Sequence, residues 1–596
     1  MQHENCTICE RRCRLTEGET GACGLYALTG GHIVERYPNR FLVACPISIE
    51  TMPIFHYHPG AKFFQISTTG CNFNCPGCIS TVLVREMAPD SSALKHLTPD
   101  QIVARAIETG CTGIVFLMND PLAAFPTFLD IAERARAKGL KVGCSSNAYF
   151  STESLERLLP LLDFINIGMK GFTDTAYRKC GAQGIAPLLR NLSILHESGI
   201  HTEVSCILTR DNGPELTALA RHLRSLSPHI PLQVMRFLPF ETAAIEKEPT
   251  VREAEDFCRT LRQVLDHVYL FNTPGSDYLH TRCPLCGHVV LQREFYGPMG
   301  AKLKIAGSDL PPDSRCPICA HHLPIVGPPS PIEYREGDFE GGYPLTRAME
   351  MVEAMLIAMG VAQPQKVVRA WEDLLQDGGL SRLHQRIQHP HAYIEMVREL
   401  GRKADAAKGA QDLADYLADH LKRLETVLAR AVRHPTVYYA MGKPLFYINA
   451  GRMENRLVEL AGGISLNRQL PAGGRPGHNL SVSQLNALNP EVIFISAFLS
   501  NRVEDFYDEC RSLGVTVDAV KQRRIFIHPA PGWDFGSPRW ILGLLFMAGI
   551  FHPDLCTIDI MAEAQHFYRR FYGTDFSLAD VNRSFAKPTD KWRWEA

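Results

Sequence analysis

The chain has almost no excess charge: 62 basic against 64 acidic residues leave a formal net charge of −2 over 596 residues. That removes the broad basic field on which nucleic-acid binders depend. Long apolar runs are missing too. The longest, Trp540 to Phe551, is 12 residues, enough for a buried helix and well short of the ~20 needed to cross a bilayer. The opening Met-Gln-His-Glu-Asn-Cys lacks the basic-then-apolar order of an export signal. The expectation is a cytoplasmic protein with neither membrane nor nucleic acid as partner. Internal repeats and low-complexity tracts are absent as well. The chain therefore reads as several ordinary globular domains, since single cores rarely exceed about 250–300 residues.

Cysteine is plentiful. There are nineteen, and eleven fall into three groups with metal-ligand spacing. Without an export signal, that spacing points to bound metal in a reducing compartment and away from disulfides. The most informative group is Cys71-Asn-Phe-Asn-Cys75-Pro-Gly-Cys78, just after the strand-like Phe63-Phe-Gln-Ile-Ser67. A zinc knuckle would need a fourth ligand, which this loop does not offer. Three thiolates can instead hold three irons of a four-iron, four-sulfur (4Fe-4S) cluster and leave the fourth iron open. An open iron can be chelated by the amino and carboxylate groups of S-adenosyl-L-methionine (SAM). One electron then breaks the sulfonium bond and gives a 5'-deoxyadenosyl radical, chemistry that belongs to the cofactor. Such an iron–sulfur site implies an anaerobic or oxygen-guarded cell. Gly70, Pro76 and Gly77 let the loop wrap tightly.

From Ala61 to Phe240, strand and helix signals alternate. The strands are Phe64–Ser67, Gly113–Met118, Val142–Ser146, Phe164–Ile167, Thr202–Leu208 and Leu232–Phe237, all short and apolar as doubly buried strands should be. Helix-period segments lie between them, one opening on the capping box Thr98-Pro-Asp-Gln101. Six such units predict an α/β fold, a partial (β/α)6 barrel with its chemistry at the carboxyl ends of the strands.

Cys283-Pro-Leu-Cys286 and Cys316-Pro-Ile-Cys319 form two zinc-ribbon-like knuckles. Four thiolates fill a tetrahedral shell, so the expected role is structural, with zinc or a single iron as the metal. Cys6, Cys9, Cys13 and Cys23 make the third group. Their spacing fits zinc or an auxiliary iron–sulfur cluster equally well, and a loose arm of free thiols is the plain alternative. Past the Pro/Gly-rich bridges Val326–Pro331 and Gly337–Pro344 the chain turns helical. Leu413, Leu417, Leu421, Leu424, Leu428 and Val432 place one apolar stripe on a long helix. After His434-Pro435 an α/β pattern resumes. The expected division is thus a Cys-rich segment 1–60, a barrel 61–275, a knuckle domain 276–327, a helical linker 328–433 and an α/β lobe 434–596.

The first ~325 residues closely resemble the radical SAM enzyme of the AmmeMemoRadiSam system, a relative of pyruvate formate-lyase activating enzymes. The likeness runs through Cys6-Thr-Ile-Cys9, Cys13, Gly21-Ala-Cys23-Gly24, Pro53-Ile-Phe-His-Tyr-His-Pro59-Gly60 and the Cys71 loop. It continues through Asn119-Asp-Pro121, Ser146-Asn147-Ala-Tyr149, Lys170-Gly-Phe172, Tyr177-Arg-Lys179, Arg236-Phe237 and the paired knuckles. The resemblance implies SAM held across the strand ends by Asn119, Asp120, Asn147, Lys170 and Arg236, and an electron donor such as flavodoxin or ferredoxin. Asp120 stands where that family usually has glutamate, one methylene longer. Gly168 stands where an aspartate is expected.

The last ~165 residues resemble substrate-binding proteins of iron–siderophore, cobalamin and oxyanion transporters. The matching segments are Leu457-Val-Glu-Leu-Ala-Gly-Gly463, Leu485-Asn-Ala-Leu-Asn-Pro490, Trp533-Asp534, Ser537-Pro538 and His552-Pro553. Only a connecting helix and one lobe of that architecture are present. The function these readings imply is a radical SAM enzyme that takes a hydrogen atom from a small-molecule or protein substrate. A glycyl-radical-enzyme activase is the narrower version. A metal-chelate or corrinoid carrier with an electron-transfer cluster is the alternative from another class.

Overall fold

The computed structural model describes residues 3–81, 85–239, 245–337, 341–376, 378–471, 476–499 and 501–576. Eight strands form its main sheet: β1 (Val43–Ser48), β2 (Lys62–Ser67), β3 (Gly113–Phe116), β4 (Lys141–Ser146), β5 (Phe164–Met169), β6 (His201–Leu208), β7 (Leu232–Arg236) and β8 (Val268–Phe271). They lie side by side in that order, with β1 and β8 at the two edges. Strands β2 to β8 run parallel, and β1 pairs antiparallel with β2. All six strands expected from sequence are present, each within two residues. The sheet is larger than expected by one parallel strand, β8, and by the antiparallel β1.

The elements form where their residues dictate. Ile114, Val115 and Phe116 of β3 are fully buried, as expected of a parallel strand covered on both faces. The helix Pro99–Glu108 opens on Thr98, whose hydroxyl accepts from Gln101 N (3.3 Å) while the Gln101 side chain accepts from Thr98 N (2.8 Å). Those two bonds satisfy amides that the first helical turn leaves without partners. Helices Phe125–Ala137, Thr152–Leu158, Ala186–Glu197, Gly213–Leu226 and Val251–Leu261 fill the remaining crossovers, so the carboxyl ends of β2 to β8 gather on one rim.

A small three-stranded sheet (Thr281–Arg282, Val289–Phe295, Ala301–Lys304) follows, then five helices from Gly342 to Leu428. Of the Gly337–Pro344 stretch read as linker, residues 338–340 lie outside the described residues, and Pro344 already belongs to the helix Gly342–Ala358. The leucine stripe is core, with Leu413, Leu417, Leu421 and Leu424 buried on the helix Ala407–Leu428. Val432 corrects the expectation. It lies beyond the end of that helix and is 98% exposed.

A second sheet, ordered Gly477–Asn479, Phe446–Ile448, Thr436–Ala440, Val492–Ile495, Ile525–Ile527, forms the carboxyl-terminal part with the apolar helix Trp540–Phe551. The described part of the chain ends at residue 576, so 577–596 of the expected lobe lie outside the described residues. This part shares one apolar core with the first sheet and the helices. Phe271, Phe295, Met235, Met355, Leu417, Phe446 and Trp533 all belong to it. Charge ties the same surfaces: Lys443 Nζ lies 3.0 Å from Glu255 and 2.9 Å from Glu509, and Arg252 pairs with Asp505 at 2.8 Å.

Candidate functional site

Strand β2 ends at Ser67 and the chain turns at once into the Cys71–Cys78 loop. Gly70 adopts φ +86°, and a Cβ there would lie 2.4 Å from Leu25 Cδ1, so glycine is needed both for the backbone and for the fit. Asn119, just past β3, fixes the approach. Its carbonyl oxygen accepts from Thr68 N (3.1 Å), and its amide donates to Thr68 Oγ1 (2.9 Å) and Gly70 O (3.0 Å). Asn147, just past β4, holds the loop from the other side by donating to Asn72 Oδ1 (2.7 Å). Both asparagines therefore brace the cysteine loop.

The three thiols lie close enough at the rim to feel one another's charge. Cys71 is pushed up to about 12 by burial, then by the nearby Asp120 carboxylate, with Cys78 and Cys75 adding to it. The Phe73 amide points at Cys71 Sγ (3.4 Å), a bond that favours thiolate. Asp120 is buried and accepts from Asn147 N (2.7 Å), Ser146 Oγ (3.0 Å) and Leu122 N (3.0 Å). Burial raises its pKa above the ordinary carboxylate value, against those bonds and the charge of Lys170. Lys170, just past β5, is exposed. Its crowded surroundings oppose its charge, yet Cys75, Cys71, Cys78 and Cys180 hold its pKa above that of an ordinary lysine. A Cβ on Gly168 would sit 3.5 Å from Lys170 Nζ, so the missing aspartate leaves room for that ammonium. The three thiols thus have a carboxylate and an ammonium in their surroundings.

Arg236 sits apart from this arrangement. Its guanidinium is fully buried and donates to Glu248 (2.7 Å), Pro249 O (2.6 Å) and Asn272 O (3.0 Å), leaving one nitrogen without a partner. Sequence reasoning missed Cys180, whose thiol shares a hydrogen bond with Cys75 that raises Cys75 and lowers Cys180. Asn74 N also donates to Cys180 O (2.8 Å). A lone cysteine so distant in sequence carries no spacing signal, and only the fold brings it to the loop.

The knuckles converge. Cys283 and Cys319 sulfurs are 3.5 Å apart, as are those of Cys286 and Cys316, and all four lie within 4.8 Å of one another. A tetrahedral ion with 2.3 Å zinc–sulfur bonds separates its sulfurs by ~3.8 Å, so the four fit one metal. Nearby His288 is engaged by Asp309 at 2.8 Å. Cys6, Cys9, Cys13 and Cys23 also face one another, on an arm pinned to the rim by Glu10 N donating to Tyr149 O (3.1 Å).

A parallel α/β sheet whose first crossover carries a three-thiol loop defines a class of protein that does its chemistry at strand carboxyl ends. Residues 66–222 match the model described as the radical SAM superfamily, so the chain contains a radical SAM domain. It is 30% identical over 330 residues to an uncharacterized protein of Methanocaldococcus jannaschii, covering 54% of this chain and 95% of that one. Among solved structures it is similar to a periplasmic solute binding protein from Veillonella parvula (21% identity, 32% of this chain, 60% of that one, TM-score 0.30). It is also similar to an ABC transporter solute binding protein from Sulfurospirillum deleyianum (25% identity, 33% and 62%, TM-score 0.30). The chain spans about 60% of the length of those two solute-binding proteins.

Proposed function

We propose that this radical SAM superfamily enzyme resembles the AmmeMemoRadiSam type and cleaves SAM reductively, with Cys71, Cys75 and Cys78 holding a 4Fe-4S cluster. The observation that carries the reading is the pairing of charges around the three thiols. The amino-acid end of SAM is a zwitterion, and the surroundings of the thiols offer Asp120 for its ammonium and Lys170 for its carboxylate. When bound, the cluster supplies one electron to the sulfonium, and the resulting 5'-deoxyadenosyl radical takes a hydrogen atom from the substrate.

The chain's own residues bind, orient and exclude water. Asn119 and Asn147 keep the loop in place, and Asp120 retains acceptor capacity beyond its three internal bonds, since a carboxylate offers about four lone-pair sites. The methionine-rich core around Met235, Met351 and Met355 places apolar bulk beside the strand ends, which limits quenching by water. In the expected five-part division, the knuckles at 276–327 hold one structural zinc. The helices and lobe from 328 onward complete the cover.

Anaerobic reconstitution with iron and sulfide tests this. The protein should convert SAM and dithionite to 5'-deoxyadenosine and methionine, and a variant with Cys71→Ala, Cys75→Ala and Cys78→Ala should not. Equal 5'-deoxyadenosine formation by both proteins would falsify the assignment, and formation by neither would favour a carrier.

A further inference from the structure

Outside the site at the strand ends and the knuckles, one more set of thiols is built into the fold. Cys6 and Cys9 are buried and Cys13 and Cys23 half-buried. Each of Cys6 and Cys9 lies near enough to Cys13 and Cys23 to feel their charge, which gathers the four in one region of the arm. The arm that carries them is fixed. Cys6 N donates to Cys13 O (2.8 Å), Arg12 N to Cys9 O (3.1 Å) and Gly24 N to Gly21 O (2.8 Å), while Cys9 bridges to Phe150. Gly21 lies beside two of them: a Cβ there would stand 3.8 Å from Cys13 Sγ and 3.9 Å from Cys23 Sγ.

The sulfurs also have backbone donors beside them. The amides of Ile8, Arg11 and Leu25 point at Cys6, Cys9 and Cys23, each two residues on from its cysteine. The same relation joins His288 to Cys286 and His321 to Cys319 in the knuckles, and Phe73 to Cys71. Hydrogen bonds to the sulfurs are among the features that tune a bound cluster.

The tightly gathered knuckle sulfurs, all within 4.8 Å of one another, suit one ion. At the arm, a cube of irons would give each of the four thiolates its own metal.

The position is equally specific. Arg11, between Cys9 and Cys13, donates to Asn72 O at 2.8 Å, one peptide from Cys71, and lies 3.3 Å from where a Cβ on Gly181 would be, beside Cys180. Leu25, two residues from Cys23, packs on Gly70. Cys6, Cys9, Leu25 and Phe73 share one core, with Cys13, Cys23, Cys71 and Cys75 packed against it.

We propose that Cys6, Cys9, Cys13 and Cys23 hold an auxiliary four-iron cluster that relays single electrons to the site at Cys71, Cys75 and Cys78. In each relay step an external one-electron donor is oxidised and the auxiliary cluster reduced. The cluster then passes that electron inward through the Arg11–Asn72 contact and returns to its oxidised state.

The test begins with the Cys71→Ala, Cys75→Ala, Cys78→Ala variant, which removes the main site and so separates this proposal from the SAM reading. After anaerobic reconstitution it should retain about four iron atoms and four sulfides per chain. Dithionite should give it a paramagnetic signal. Zinc alone at the arm, or no metal there, overturns the proposal. The relay is read in a second variant, Cys6→Ser with Cys13→Ser, which should keep about four irons at the main site. Reduction of that remaining cluster by reduced flavodoxin should slow at least about tenfold, with reduction by dithionite unchanged. Unchanged reduction by flavodoxin overturns the relay. If the double variant fails to fold, Gly21→Ala, which places a methyl beside two of the sulfurs, should lower only the auxiliary iron content. Full iron content in Gly21→Ala with the same spectrum counts against the site.

Discussion

Lys170 and Asp120 show how one rim can favour a zwitterion without a dedicated pocket. Lys170 feels the charge of all three thiols, and Asp120 acts on Cys71 while itself feeling Lys170. Replacing Lys170 with methionine keeps the apolar stem and removes the cation. A charge-assisted hydrogen bond is worth about 1.5–3 kcal/mol, so the KM for SAM should rise roughly ten- to hundredfold. Iron content should be unchanged, because the thiols and their bracing asparagines are untouched. A KM within twofold of the parent would assign Lys170 to support of the loop. The residue scale is also where sequence reading was least complete. The Cys71 loop and the knuckles were legible because ligand spacing is local. The bracing of the loop by Asn119 and Asn147 was not, since it depends on three strand ends meeting. Cys180 gave no sign at all.

Among the elements, strands β2 to β7 were legible because a doubly buried parallel strand leaves an apolar run that little else produces. Strand β1 escaped notice because it contains Pro46 and Cys45 and lies at an edge, where proline is tolerated and the apolar pattern breaks. The edge strand β8 has only four residues and follows the long gap after β7. The helix stripe was correct up to Leu428 and failed at Val432, since periodicity says which face is apolar and not where the helix stops. At the far end of the chain, the helix Ile560–Tyr572 is held to Ala407–Leu428 through Glu563, which meets His420 at 3.3 Å and the Tyr416 hydroxyl. The bond to His420, with that from Tyr416, holds Glu563 down at about 2, against an ordinary 4.5. A depressed carboxylate stabilises the fold above its unfolded pKa and loses that contribution as pH falls through its folded one. Melting temperature should therefore drop between about pH 4.5 and pH 2 by more in the parent than in Glu563→Gln. Identical slopes in the two proteins would show that this contact contributes nothing.

For the whole molecule, the shared core decides how the parts behave. Phe446 lies with its ring centroid 6.1 Å from that of Phe295, Lys443 is clasped between Glu255 and Glu509, and the apolar core runs unbroken from Phe271 to Trp533. Each large apolar side chain in such a core is worth about 1.5–3 kcal/mol of burial. A chain ending at residue 433 would expose the buried face of the helix Ala407–Leu428 and its neighbours. It should associate into soluble oligomers or precipitate, as light scattering would report. A monomer of unchanged melting temperature would mean that the two halves are independent.

The order of synthesis gives the same core a role in time. All eleven clustered cysteines lie before residue 320, whereas the segment that completes the core follows it. At about 5–20 residues per second, the ribosome needs on the order of fifteen seconds to a minute to finish the remainder. During that interval the cysteine segments are already made and the lobe is not. The cell's iron and sulfide donors can thus meet the thiols before the last helix docks, and metal loading need not wait for a finished chain.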